Sequence, residues 1–352
     1  MRALAWALAA VTLVGVVCRL LPGPLSALPF VPVVVAATPW YALTALASLA
    51  LFVWNLVAAG RAGLSVAGML PPALMVLVVL LEAFWQGPFF ALSPTNAVKS
   101  ATNQPAAFEL RVMTCNVYKG RADAARIVEL VRTEGVQVLA LQETTADFVN
   151  ELEAAGIDEL LPHSQRSSSD GVYGNGLWSS LPLGDVASDD IGSSASAMPG
   201  GTVTLEGDAG DEAAARVRLV SVHTCAPGPG HWNLWRKSIE EIGVARERLA
   251  TDPDTRYVLL GDFNATYDHA PFREMLGVGA DGPRLEDAAR TAGGGLVSTW
   301  PSGRWMAPPL FGIDHVVVSD GVAARSVWTA HVDGTDHRAL LCTLEIAGNG
   351  GA

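Results

Sequence analysis

Charge is spread so unevenly along this chain that the first third cannot fold as a water-soluble body. Of the 23 Lys and Arg and the 35 Asp and Glu, residues 1–98 hold only Arg2, Arg19, Arg61 and Glu82. So few charges over such a length leave no polar face for a helix bundle to show water. The remaining 20 basic and 34 acidic side chains give residues 99–352 a net charge of −14 with His neutral. Whole-chain figures, 50% hydrophobic residues and a mean hydropathy of +0.31, average an apolar head with an acidic body.

The head divides at its prolines. Residues 3–17 are apolar or small and run into Cys18 and Arg19, and Pro22, Pro24 and Pro29 break the pattern. Residues 31–59 carry no charge, with Pro39 setting the start of a second helix near Trp40, and a third apolar run extends from Gly63 to Leu81. Crossing a bilayer takes about 20 apolar residues, so the second and third runs qualify and the first is short. Three spans are expected. A cleaved signal peptide over residues 1–25 is the competing reading, but no small-x-small cleavage site precedes the next apolar run. With three spans Arg2 and Arg61 share a side, which the positive-inside tendency makes cytoplasmic. The body then faces outward, an integral membrane protein with an extracytoplasmic domain. Arg19 and Lys99 on the other side pull against that, and two spans would place the body inside. The expected organisation is an all-α transmembrane region at 1–86, a Pro-, Ser- and Asn-rich linker at 87–107, and a body at 108–347.

In the body the period changes. FELRVMTCNV alternates like a half-buried strand, residues 122–134 have helical spacing closed by Gly135, and VQVLALQE is the next strand. GNGLWSS, TVTLEG, ARVRLVSVHTC, YVLLGDFN, GIDHVVVS, SVWTAHV and ALLCTLEI read as further strands, with one helix over 233–250. Many strands with few helices point to a layered α/β fold. Asn116, Glu143, His223, Asp262, Asn264, Asp314, Asp336 and His337 all fall at or just past the end of an apolar run, where a rigid sheet presents chemistry. Any one of them is also a plain turn residue; it is the set that carries weight. Asp314 and His337 read as an acid–imidazole pair, in which a carboxylate would fix the ring and raise its pKa. His163, His231, His269 and His331 have no partner motif. His315 is expected to point away from Asp314 into packing, as are Trp232 and Trp235, while Trp300 and Trp305 suit a cleft rim or a membrane border. Cys115 and Cys342 read as small buried hydrophobes, with a bond between them left open.

MTCNV, LALQE, SVHTCAP, LLGDFNA, GIDHVVVS and TDHRAL, in that order and spacing, resemble the endonuclease/exonuclease/phosphatase superfamily over essentially the whole body. The resemblance implies a four-layer α/β sandwich, deoxyribonuclease I-like, and a metal-dependent phosphoesterase. It implies Glu143 as principal ligand of Mg²⁺ or Mn²⁺, with Asn116 and Asp336 beside it, a choice that suits a hard cation needing one or two carboxylates. It implies that Asp262 and Asn264 position the attacking water and the phosphoryl oxygen, that His337 serves as base or as cation, and that His223 meets developing charge. Two positions depart from the common pattern: Gly312 stands where Arg is usual, and Thr335 where Ser is usual. The expected partner is a phosphorylated substrate, lipid-linked in view of the membrane head. Nucleic acid is disfavoured by the acidic body, which shows no basic stripe to release counterions. A membrane-tethered nuclease and a non-catalytic phospho-ligand-binding module are the alternatives.

Overall fold

A computed structural model describes residues 1–60, 65–91, 106–206, 214–303 and 308–348. Lys99, Arg61 and Trp305, and most of the expected linker, lie outside the described residues. Twelve strands are described: β1 Ala106–Asn116, β2 Val138–Gln142, β3 His163–Arg166, β4 Asn175–Ser179, β5 Gly184–Ala187, β6 Gly200–Glu206, β7 Ala214–His223, β8 Thr255–Asp262, β9 Leu285–Asp287, β10 Asp314–Ser319, β11 Val322–Ala330 and β12 Ala339–Ala347. They form two six-stranded mixed sheets, ordered β11-β12-β1-β2-β4-β3 and β5-β6-β7-β8-β10-β9.

The alternation of the sequence decides what lies between them. Leu110 and Val112 of β1, Val138 and Ala140 of β2, and Leu340 and Cys342 of β12 face Val217, Leu219, Val258, Leu260, Val316 and Val318 of the other sheet in one fully buried core. The opposite face of the first sheet, with Met113, Cys115, Leu139 and Leu141, is covered by Ile127 and Val131 of the helix Ala124–Glu134 and by Phe148 and Leu152 of the helix Ala146–Ala154. Val220, Val222 and Leu259 pack under Trp235, Ile239 and Phe272 on the other side. The result is the expected four-layer α/β sandwich. Cys115 and Cys342 lie on opposite faces of one sheet, since Cys342 pairs in register with Val112, three residues from Cys115. Both are unpaired thiols.

The helix expected over 233–250 breaks at Ile242 and Gly243 into Trp232–Glu241 and Val244–Thr251. The strands that sequence reading missed, β3, β5 and β9, are three or four residues long and at or near sheet edges, too short for a period to register.

Three helices of the head are long and apolar enough to cross a membrane: Arg2–Leu20, Thr38–Ala59 and a run from Val66 to Phe90. At 22 residues the second is about 33 Å long, against a hydrocarbon core of about 30 Å. They pack through small residues. Ala5, Ala9 and Ala45 are buried, Ser48 Oγ donates to the Ala5 carbonyl at 2.9 Å, and Thr12 and Thr44 share a hydrogen bond of 2.7 Å. A Cβ on Gly15 would lie 2.1 Å from the Tyr41 ring, so only glycine fits that crossing.

The head is docked on the body, not merely strung to it. Arg19 Nε meets Asp268 Oδ1 at 2.6 Å with both side chains under 10% exposed, the guanidinium lies 3.8 Å from the Trp85 ring, and Gln86 Nε2 donates to Asp268 Oδ2 at 3.1 Å. Trp40 Nε1 donates to the Leu310 carbonyl, and the Gly295 amide to that of Phe89. The first residues of the expected linker, Gly87–Phe90, are therefore a helical turn fixed on the body. Removing one partner of a buried ion pair leaves an uncompensated charge, at a cost of about 3–5 kcal/mol. Arg19→Ala is expected to lower the thermal midpoint of the detergent-solubilised protein well below that of an exposed control such as Arg126→Ala; equal midpoints would show that the joint carries no stability.

Candidate active site

The sheet registers bring the polar strand ends to one place. β7 and β8 are parallel with His223 opposite Asp262, and β10 runs antiparallel to β8 with Asp314 opposite Asp262. In the other sheet Asn116 stands opposite Gln142, so the next residue, Glu143, emerges beside it. The strand β8 can end so close to β7 because residue 261 is glycine: a Cβ there would sit 1.9 Å from the Val222 carbonyl oxygen. Glu143 and Asn264 turn their backbones into the left-handed region, at φ 59° and 47°, which non-glycine residues enter at a cost and mostly where a site requires it.

Asn116 joins the two sheets at this edge. Its Nδ2 donates to Glu143 Oε1 at 3.2 Å and to Asp262 Oδ2 at 3.0 Å, while its Oδ1 accepts from the Tyr118 amide at 2.9 Å. Asp262 Oδ1 accepts the Asn264 amide at 2.8 Å, and Asn264 Nδ2 donates to the Thr224 carbonyl. Thr335 Oγ1 donates to the Asn116 carbonyl at 2.7 Å and accepts the His337 amide at 3.1 Å, so the threonine hydroxyl clamps β1 to the segment bearing His337. His337 Nδ1 meets Asp314 Oδ2 at 2.8 Å, and its Nε2 stands 3.8 Å from Asp262 Oδ2. His223 Nε2 lies 3.9 Å from the same oxygen. Those two separations exceed a hydrogen bond and suit groups that bracket a common oxygen atom.

Seven of the eight expected residues, Asn116, Glu143, His223, Asp262, Asn264, Asp336 and His337, line one cavity of about 730 Å³. Asp314 stands behind it and reaches it through His337. Trp300 rims the cleft, with its Nε1 3.3 Å from Asp336 Oδ2. His231 and His269, read from sequence as background, also stand on its wall. His315 is as expected turned away, with Nδ1 on Asp287 and Nε2 on the Ala265 carbonyl. Sequence reading passed over Asn175, Gln142 and Ser221, which are fully or nearly fully buried beneath the site. Gln142 Nε2 donates to Ser221 Oγ at 3.1 Å and Asn175 Nδ2 to the Ser221 carbonyl at 2.9 Å, a polar bridge between sheets. Polar residues inside otherwise apolar strands were the available signal.

Burial sets the electrostatics. It pushes the Glu143 and Asp262 carboxyls up, against the Asn116 amide and the His337 charge that pull both down. Burial alone would lower His337, but the carboxylates of Asp314 and Asp262 outweigh it and raise the ring to about 9. His223, without so close a partner, is held below its ordinary value by burial. One imidazole is thus charged at neutral pH and its neighbour is not.

The donor set suits a hard divalent cation. Glu143 Oε2 is buried without a hydrogen-bond partner among the described residues, on the cleft wall beside Asn116. Ligand atoms of Asp262, Asp314 and His337 also lie within 4.8 Å of one another. There, however, the Asp314 oxygen is already committed to a protonated ring, and a cation would face that ring's positive charge.

Residues 113–337 match the model of the Endonuclease/Exonuclease/phosphatase family. The chain belongs to that family. Among solved structures it resembles an endonuclease/exonuclease/phosphatase from Bacteroides vulgatus, at 18% identity and a TM-score of 0.51, over 68% of this chain and 99% of that one. It also resembles D. rerio TDP2 complexed with single strand DNA product, at 15% identity and a TM-score of 0.51, over 67% and 99%. At such identities the likeness concerns the fold. No curated protein sequence matches the chain. Membership of the Endonuclease/Exonuclease/phosphatase family makes the body a phosphoesterase or nuclease.

If Asp314 is what holds the proton on His337, then Asp314→Asn should bring the ring down from about 9 toward its ordinary value of roughly 6.5. Imidazole NMR titration of the metal-free protein reads this directly. An unchanged titration would assign the charge to the other carboxylates beside it, Asp262 and Asp336.

Proposed function

We propose that this protein is a membrane-anchored, divalent-metal-dependent phosphoric ester hydrolase acting on a phosphate ester or pyrophosphate of a membrane lipid. The observation that carries the reading is the convergence of Glu143, Asp262 and the Asp314-backed His337 on one cleft at the body-side end of three apolar helices.

Glu143 would hold Mg²⁺ or Mn²⁺, assisted by Asn116 and Asp336. The cation, when bound, neutralises phosphoryl oxygens and makes water more acidic. Asp262, fixed by the Asn264 amide and the Asn116 side chain, is placed to orient the attacking water and take its proton; its raised pKa suits a base. His337, charged at neutral pH, faces the same region through Nε2 and stabilises negative charge on the phosphoryl group or gives its proton to the leaving oxygen. His223, uncharged, adds a hydrogen bond. Asn264 and Asn116 orient the phosphoryl oxygens. Such positioning with electrostatic complementarity is most of what phosphoryl transfer asks of a protein.

A lipid substrate is favoured by the anchor, which confines the cleft to the bilayer surface and raises the effective concentration of anything in it. The acidic body argues against a polyanionic nucleic acid. For orientation, Arg2 begins the first helix at the end far from the body, whereas Arg19, at the body side, is consumed by its ion pair with Asp268. With Arg19 neutralised, the positive-inside tendency favours a body outside the cytoplasm. Protease added to intact cells should then cut the body; full protection of the body there, with cleavage only after lysis, would reverse the orientation.

The reaction is tested on detergent-solubilised protein with Mg²⁺ or Mn²⁺ against phosphatidic acid, a polyprenyl pyrophosphate, phosphatidylcholine and single-stranded DNA. Metal-dependent turnover of a lipid is expected, falling by roughly 10³-fold or more in Asp262→Asn and His337→Ala. Digestion of DNA without lipid turnover would make the protein a tethered nuclease. No turnover of any substrate by folded, metal-binding protein would favour a phospho-ligand-binding module.

A further inference from the structure

The catalytic cleft is not closed by the body alone. Pro32, Val33 and Ala36, from the short helix Val31–Ala36 between the first two long helices, line it across from Leu234, Phe311 and Ile313 of the body. This piece of the head is held in place by polar contacts. His269 Nε2 bonds the Pro32 carbonyl at 2.8 Å, while its Nδ1 accepts the Thr266 amide at 2.8 Å, so the neutral ring donates through Nε2. Phe30, in the left-handed region at φ 66°, a costly conformation for a bulky residue, puts its ring 5.8 Å from that of Trp232.

The same segment is greasy on its outside. Leu25, Leu28, Phe30 and Val33 are 44%, 47%, 66% and 55% exposed, and they lie where the first helix ends and the second begins, at the body-side border of the membrane. Val33 is both exposed there and part of the cleft lining. Exposed apolar side chains thus stand along this segment from Leu25 and Leu28 to Val33, which lines the cleft that holds Glu143, Asp262 and His337.

We infer that the segment Phe30–Ala36 is a wall of the active site and a specificity element, against which the hydrocarbon chain next to the scissile phosphate lies as a lipid enters sideways from the bilayer. This rests on the lipid-phosphate reading above and gives the anchor a part in substrate selection. A phosphate group at the polar floor and a chain along an apolar wall match the two chemistries of the cavity.

The full chain, reconstituted in phosphatidylcholine vesicles containing a diazirine-tagged phosphatidic acid, tests the wall without needing turnover. Photo-crosslinks are expected on the peptide bearing residues 30–36, removed by excess untagged long-chain phosphatidic acid but not by glycerol phosphate. Crosslinks confined to the outer faces of the three long helices, or insensitive to competition, would overturn the inference. In turnover, Val33→Asp sets a charge where the chain would pass. The ratio of kcat/KM for long-chain phosphatidic acid to that for p-nitrophenyl phosphate should fall by about tenfold or more, the equivalent of about 1.4 kcal/mol; an unchanged ratio counts against the wall. Competed crosslinks without lipid hydrolysis would sink the proposed reaction and leave the wall standing. Lipid hydrolysis without competed crosslinks would do the reverse.

Discussion

The Asn116 side chain is the point on which this architecture turns. One amide nitrogen donates to Glu143 in its own sheet and to Asp262 in the other, so the two halves of the sandwich are registered where the chemistry is. The apolar core between the sheets is nondirectional and would tolerate a small slide of one on the other. The amide bridge would not, nor would the buried network of Gln142, Asn175 and Ser221 beneath it. A buried polar group left without its partner costs about 1–3 kcal/mol, so each of these bonds penalises a slipped register. Thr335 extends the constraint, because one hydroxyl holds both the Asn116 carbonyl and the His337 amide. Thr in place of Ser keeps that hydroxyl, which is why the departure from the common pattern does no harm here.

The same loop that carries Asn264 of the cleft also holds the apolar head. Four and five residues past Asn264 stand Asp268 and His269, the first clamped by Arg19 and Gln86, the second bonded to the Pro32 carbonyl. Burial lowers the pKa of His269 to about 4, so above that pH it remains a neutral donor to the head. The loop after β8 is therefore fixed from both ends, by Asp262 inside the cleft and by the head outside it. A displacement of the helices would be felt at Asn264, whose carbonyl accepts the Trp235 indole at 2.8 Å.

What the sequence made legible follows the range of the interactions involved. Periodicity is local, so the long strands and the helix closed by Gly135 could be read, and the motif order placed polar residues at strand ends. That Asn116, Glu143, His223, Asp262 and His337 share one cleft depends on register across two sheets, which only the family resemblance hinted at. The short strands β3, β5 and β9 have too few residues to show a period. The role of Arg19 was hidden for another reason: in a hydrophobic head a lone Arg looks like a topology signal, and only its partner 249 positions away shows it to be an ion pair. His269 was unreadable in the same way, its partner being a backbone carbonyl, which leaves no trace in composition. Gly312, where Arg is usual, sits with its α-carbon so near the Val297 carbonyl that a Cβ would lie 2.2 Å from that oxygen, so the backbone path before β10 itself excludes a side chain at this position.

These long-range contacts also bear on whether the head can be regarded as a detachable anchor. A body cut free of its helices would lose Phe89 from Tyr267 and Phe30 from Trp232, leave the Asp268 carboxylate without Arg19 and Gln86, and leave His269 Nε2 without its carbonyl. Water would satisfy the polar groups, but the loop would lose the contacts that hold it against β8. The wall contributed by Pro32, Val33 and Ala36 would go as well, turning a cleft with a polar floor and two apolar sides into an open groove. Charge segregation along the chain leaves a head of three helices long and apolar enough to cross a membrane. The contacts at Asp268 and Pro32 then join that head to the cleft, so the apolar helices and the carboxylates of Glu143 and Asp262 belong to one structural unit.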